Sequence, residues 1–107
     1  MADTYKVVVT DDAKRNLREI IEYLVKNASL DVAKKVRDGI EEEIAKLAHM
    51  PQSKALLRGA QGKIYIYRRT LKWSYRIIFT ITESELIVLV VRIDHEKNDP
   101  LKLEDLP

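Results

Sequence analysis

Residues 73–82 read Trp73-Ser74-Tyr75-Arg76-Ile77-Ile78-Phe79-Thr80-Ile81-Thr82. Trp73, Tyr75, Ile77, Phe79 and Ile81 share one parity; Ser74, Arg76, Ile78, Thr80 and Thr82 share the other. This is the period of a strand whose side chains alternate between the two faces of a sheet. Outward from it, Lys72 stands beside a turn and Glu83-Ser84-Glu85 forms a polar hairpin turn. Leu86 to Asp94 is a nearly continuous apolar run, the pattern of a central strand covered on both faces. Upstream, Ile64 to Leu71 alternates weakly and is read as another strand, while 51–62 is irregular.

The N-terminal half has a different period. Tyr5 to Thr10 is short and β-branched, a strand. Asp11 or Asp12 is expected to cap a first helix. Its apolar face is Ala13, Leu17, Ile20, Leu24 and Ala28, spaced by three or four residues. Asn27-Ala28-Ser29 interrupts it, and Ser29 or Asp31 caps a second helix with the apolar line Ala33, Val36, Ile40, Ile44 and Leu47. Glu41, Glu42 and Glu43 are assigned to its solvated side, with Lys46 placed to pair with Glu42. Pro51 ends this helix near His49 or Met50. A short break makes the two helices an antiparallel hairpin. The expected fold is α+β, ordered β-α-α-β-β-β. The hairpin packs on one face of a mainly antiparallel sheet of three to four strands, leaving the other face partly open.

A length of 107 residues corresponds to a single domain over 1–107. Its polar end, 98–107, is expected on the surface. The absence of cysteine excludes disulfides, a thiolate nucleophile and Cys-ligated metals. No apolar run approaches the roughly 18 residues of a membrane span. The first residues carry no export signal, so a cytoplasmic location without membrane contact is expected. Two histidines on separate elements make a poor ligand set, and no metal or cofactor is expected. His49 reads as a cap near a helix end.

The net charge of +2 conceals a segregated distribution. Residues 1–50 sum to −1, residues 51–82 to +7 without a single acid, and residues 83–107 to −4. The basic segment also holds five of the seven aromatic residues. Such a block suits an acidic or polyanionic partner. Lys63, Arg68, Arg69, Lys72 and Arg76 are its candidate binding face. Arg76 interrupts a strong strand on the parity opposite the aromatic line. It either presents a rigidly held guanidinium on the open sheet face, able to grip a phosphate or carboxylate, or pairs with an acid on a neighbouring strand. Composition leaves both open. Trp73 and at least one of Tyr65 and Tyr67 are expected in the core.

These segments, in this order, resemble the RelE/ParE superfamily of type II toxin–antitoxin toxins from Tyr5 to about Pro100. The resemblance is carried by the capped first helix, the second helix ending Leu47-Ala48-His49-Met50-Pro51, the loop Leu57-Arg58-Gly59, the strand Trp73 to Phe79, and the close Val91-Arg92-Ile93-Asp94-His95-Glu96-Lys97-Asn98-Asp99-Pro100. It implies a toxin neutralised by a cognate antitoxin that wraps it, possible toxin–antitoxin hetero-oligomers, and one of two targets. Some members cut mRNA in the ribosomal A site; the ParE-like group poisons DNA gyrase. Arg58 and Arg76 match two arginines that hold the scissile phosphate in the cutting members, where fixed cations stabilise developing negative charge. His95 would serve as base. The pattern departs from the cutting members in two places: Glu96 stands at a basic position, and the later tyrosine is absent.

The expected function is therefore a plasmid-stabilisation-type toxin acting through gyrase. The alternatives are a ribosome-dependent mRNA interferase using Arg58, Arg76 and His95, and an inactive relic that binds only antitoxin or DNA. The antitoxin is expected to meet the basic strand region, at Arg68 and Arg69 in particular.

Overall fold

A computed structural model of the chain describes residues 4–60, 64–97 and 106. The order is β1 (Lys6–Val9), α1 (Asp11–Asn27), α2 (Leu30–Lys46), β2 (Ala55–Leu56), β3 (Arg68–Lys72), β4 (Tyr75–Thr82) and β5 (Ile87–His95). The strands form one sheet in the order β1-β5-β4-β3-β2. β1 runs parallel to β5, and every other pair is antiparallel. The α+β arrangement is the expected one, with five strands in place of three or four. The additional strand, β2, is two residues long and carries no periodic signal. No helix among the described residues is long and apolar enough to cross a membrane.

Both helix starts are set by hydroxyls. Thr10 Oγ1 accepts from the Ala13 amide at 3.1 Å, so Thr10 caps α1 and Asp11 and Asp12 lie inside its first turn. Carboxylates there still favour the positive end of the helix dipole. Ser29 Oγ accepts from the Val32 amide at 3.1 Å and caps α2. That helix ends at Lys46, earlier than expected, because Leu47 turns into the core and the Ala48 carbonyl accepts from the Tyr5 amide at 2.8 Å. His49 therefore lies past the helix, bridged to Thr4.

The apolar lines of the two helices meet on one sheet face. Ala13, Leu17 and Ile20 of α1 and Val36, Ile40 and Ile44 of α2 pack against Tyr75, Ile77, Phe79, Val88, Val90 and Ile93. Glu43 departs from its assignment to the solvated side. It is 9% exposed, accepts from Thr70 Oγ1 at 2.7 Å and lies 3.8 Å from Lys54 Nζ. A buried carboxylate is tolerable when donors meet it, and here the donors come from β3 and the segment before β2. Glu42 and Lys46 make the expected surface pair at 3.7 Å.

A β-bulge alters the register between β4 and β5. Ile78 pairs with Arg92 and Phe79 with Val90, leaving Val91 without a partner. The extra residue puts both Val91 and Arg92 on the second sheet face. That face is less open than expected. Leu57, Ala60, Tyr67, Ile78, Val91 and Leu106 form a second core there. Leu106 is 5% exposed, so a surface position fails at this residue of the C-terminal segment; residues 98–105 and 107 lie outside the described residues.

Trp73 is corrected as well. It stands in the two-residue turn Trp73-Ser74 between paired Lys72 and Tyr75, with a φ of 53°, and is not part of the strand core. Tyr67 is buried as expected, while Tyr65 is exposed and meets its ring edge-on at 6.4 Å.

Candidate functional site

A polar cluster on the second sheet face is built around Asp94. Arg76 Nε and Nη2 donate to Asp94 Oδ1 and Oδ2, both at 2.8 Å, and Arg92 Nε donates to Oδ2 at 2.8 Å. Arg76 is 8% and Asp94 3% exposed. The register makes this contact inevitable, because Arg76 and Asp94 are directly opposed across β4 and β5. The bulge then swings Arg92 to the same face. Of the two roles left open for Arg76, the structure shows the cross-strand ion pair.

His95 faces the other way. It is opposed to Tyr75, one residue along from the Arg76–Asp94 pair, and therefore lies on the helix side. Its ring meets Tyr75 edge-on at 5.3 Å, and its Nδ1 accepts from the Lys97 amide at 3.3 Å. Burial, and then the nearby Tyr23 hydroxyl, raise the Tyr75 phenol above its ordinary value. Burial followed by Tyr65 does the same for Tyr67.

Arg58 is exposed in the turn Arg58-Gly59 beyond β2, where Gly59 has a φ of 85°. Leu57 pairs with Tyr67, whereas Arg76 pairs with Leu71, four residues further along β3. By strand geometry these levels are about 13 Å apart along the sheet and about 10 Å across it. Arg58 and Arg76 thus stand at different levels of the sheet, and His95 lies on the opposite face from Arg76.

The candidate basic face is split in the same way. Arg69 shares the second face with Arg76, being opposed to Ile78. Arg68 and Lys72 oppose Phe79 and Tyr75 and so point to the helix side. Arg68 donates to the Lys54 carbonyl at 2.9 Å, and Lys72 Nζ sits 4.8 Å from the centre of the Trp73 ring. Lys63 lies outside the described residues.

Sequence reasoning missed Asp94 as the organiser of the arginines and missed Gly39. A Cβ at Gly39 would stand 2.5 Å from Trp73 Cη2, so this glycine makes room on α2 for the indole. Gly39→Ala is expected to swing the only tryptophan off α2, shifting its fluorescence emission to longer wavelength. The gain in helix propensity of about 1 kcal/mol offsets the lost contact, so the melting temperature should stay within about 5 °C of the wild type.

Beside the second core runs a groove of about 310 Å³ lined by Tyr65, Ile66, Tyr67, Thr80, Leu89 and Val91. Ile64, Tyr65 and Ile66 are three consecutive exposed apolar residues, the last two of which line it. Such an exposed apolar run is a candidate interaction site.

The fold has solved counterparts. A chain described as the chromosomal ParDE toxin–antitoxin system of P. aeruginosa superposes with a TM-score of 0.71 at 19% identity, over 86% of this chain and 96% of that one. A chain of the toxin–antitoxin complex RelBE2 of Mycobacterium tuberculosis gives 0.58 at 22% identity, over 87% and 92%. The archaeal RelE–RelB complex of Pyrococcus horikoshii gives 0.52 at 16%, over 90% and 99%. At these identities the likeness is one of fold. No curated protein matches the chain. The family model described as the ParE toxin of the type II toxin–antitoxin system parDE matches residues 7–100. The chain, with its capped helical hairpin over a mixed sheet, belongs to the ParE toxin family.

Proposed function

We propose that this ParE-family toxin arrests growth by binding DNA gyrase, that it cuts no RNA itself, and that a cognate antitoxin neutralises it. One observation carries the reading: Arg76, the best candidate for a phosphate grip, is buried against Asp94 while His95 lies on the opposite face. Cleavage by an attacking 2′-hydroxyl needs a base, an acid and a cation around one phosphate. A binding inhibitor needs only a rigid surface, which the two-sided core supplies.

An antitoxin partner is supported by the solved neighbours, which are described as toxin–antitoxin systems or complexes. The groove lined by Tyr65 and Ile66 suits an amphipathic segment, and the acid-free stretch 51–82 favours acidic flanks on it. Arg69 is on that face; Arg68 is tied to Lys54 on the other. Charge reversal at Arg69 should therefore weaken the antitoxin more than reversal at Arg68.

The test combines two assays on the purified toxin. Supercoiling by gyrase should fall as toxin is added and recover on adding antitoxin, while message on translating ribosomes stays intact. A-site cleavage with unaffected supercoiling would establish the interferase alternative. Neither effect, with the antitoxin still bound, would mark a relic.

A further inference from the structure

The tip of the β3–β4 hairpin carries two features that each cost stability. A two-residue hairpin turn with positive φ at its first position is normally occupied by glycine, asparagine or aspartate. Here it holds Trp73 at φ 53°, and a bulky side chain in that region is a true outlier that stores backbone strain. Facing it, α2 carries Gly39 in its interior, where glycine is less favourable than alanine. Burial does not offset these costs, because Trp73 remains 52% exposed. Strain without a packing return collects at functional sites.

The indole is also held in place. Its Cη2–Cζ3 edge rests on Gly39, and Lys72 Nζ stands over its ring at 4.8 Å. A pre-positioned tryptophan with an adjacent cation is the composition of an interface hot spot. The tip belongs to the acid-free stretch 51–82, in which Arg76 and Lys54 are met by Asp94 and Glu43 from other elements, while Lys72 stands over the indole.

We infer that Lys72 and Trp73 form the surface with which the toxin grips its protein target, and that the target offers an acidic surface with an apolar slot for the indole. This rests on the binding-toxin reading and adds to it a target surface separate from the antitoxin groove. The tip is at the Leu71 end of β3, whereas the groove is lined from the Tyr67 end and from Thr80 and Leu89.

Trp73→Gly gives the sharpest test, since glycine relieves the strained φ. The variant should melt within about 4 °C of the wild type and co-purify with the antitoxin. Its half-inhibitory concentration against gyrase supercoiling should rise by about thirty-fold, and it should no longer arrest growth on induction. Lys72→Glu, which keeps the indole, should lose about tenfold. Wild-type potency in Trp73→Gly overturns the inference, as does loss of antitoxin binding along with toxicity. If the wild type arrests growth without touching gyrase, the gyrase reading fails, and growth arrest alone decides: its loss in Trp73→Gly supports the target surface and its retention refutes it. A wild type that leaves growth unchanged refutes both.

Discussion

Asp94→Ala should destabilise the domain by about 3–5 kcal/mol, because it leaves the buried Arg76 guanidinium without its carboxylate. Domains of this size have about 5–15 kcal/mol in total, so the variant should be close to unfolding. At about 4–8 °C per kcal/mol, the melting temperature should fall on the order of 15–30 °C. Urea denaturation at neutral pH measures it. The pair is asymmetric. Arg76→Met removes two hydrogen bonds, but Asp94 keeps Arg92 at 2.8 Å, and the cost should be about 1–3 kcal/mol. The folded Arg76→Met protein then separates structure from chemistry. A toxin that relies on Arg76 to hold a phosphate loses its effect; a toxin that relies on it to brace β4 against β5 keeps it.

Leu106→Ala should cost about 2–5 kcal/mol, the range for truncating a buried leucine. Leu106 packs with Leu57, Tyr67, Ile78 and Val91, and the smaller residue opens a void beneath them. Leu106→Asp should be worse, since it buries a charge among apolar groups. A solvated tail residue would change stability by no more than about 0.5 kcal/mol. A melting curve therefore decides whether the C-terminal end is part of the fold. The same variant should bind a hydrophobic dye more strongly as the second core opens.

The helical hairpin and the two long strands were legible because their periods are strong: Ala13 to Ala28, Ala33 to Leu47, and Tyr75 to Ile81 each mark one face. Element ends were less legible. Thr10 outcompeted Asp11 and Asp12 as cap because its position relative to the first helical amide, not its charge, sets the bond. Glu43 looked solvated because its donors, Thr70 and Lys54, come from residues 27 and 11 positions away. The candidate site was legible in its residue types and not in its geometry. Seven bases in 32 residues suggested one face, yet the pairing of β3 with β4 puts Arg69 and Arg76 on one face and Arg68 and Lys72 on the other. Strand parity identified the face of Arg76. Only the cross-strand register, together with a bulge that no local signal announces, identified Asp94 and Arg92 as its companions. Trp73 followed the parity of its strand and still lay outside it, because the turn uses an unusual residue for its backbone.

The central claim is that this toxin acts by binding gyrase. Titrating purified toxin into a supercoiling reaction tests it most directly. The account predicts that supercoiling is lost as toxin approaches and exceeds the concentration of gyrase, and is restored by the antitoxin. Undiminished supercoiling at a large molar excess of folded toxin would contradict it.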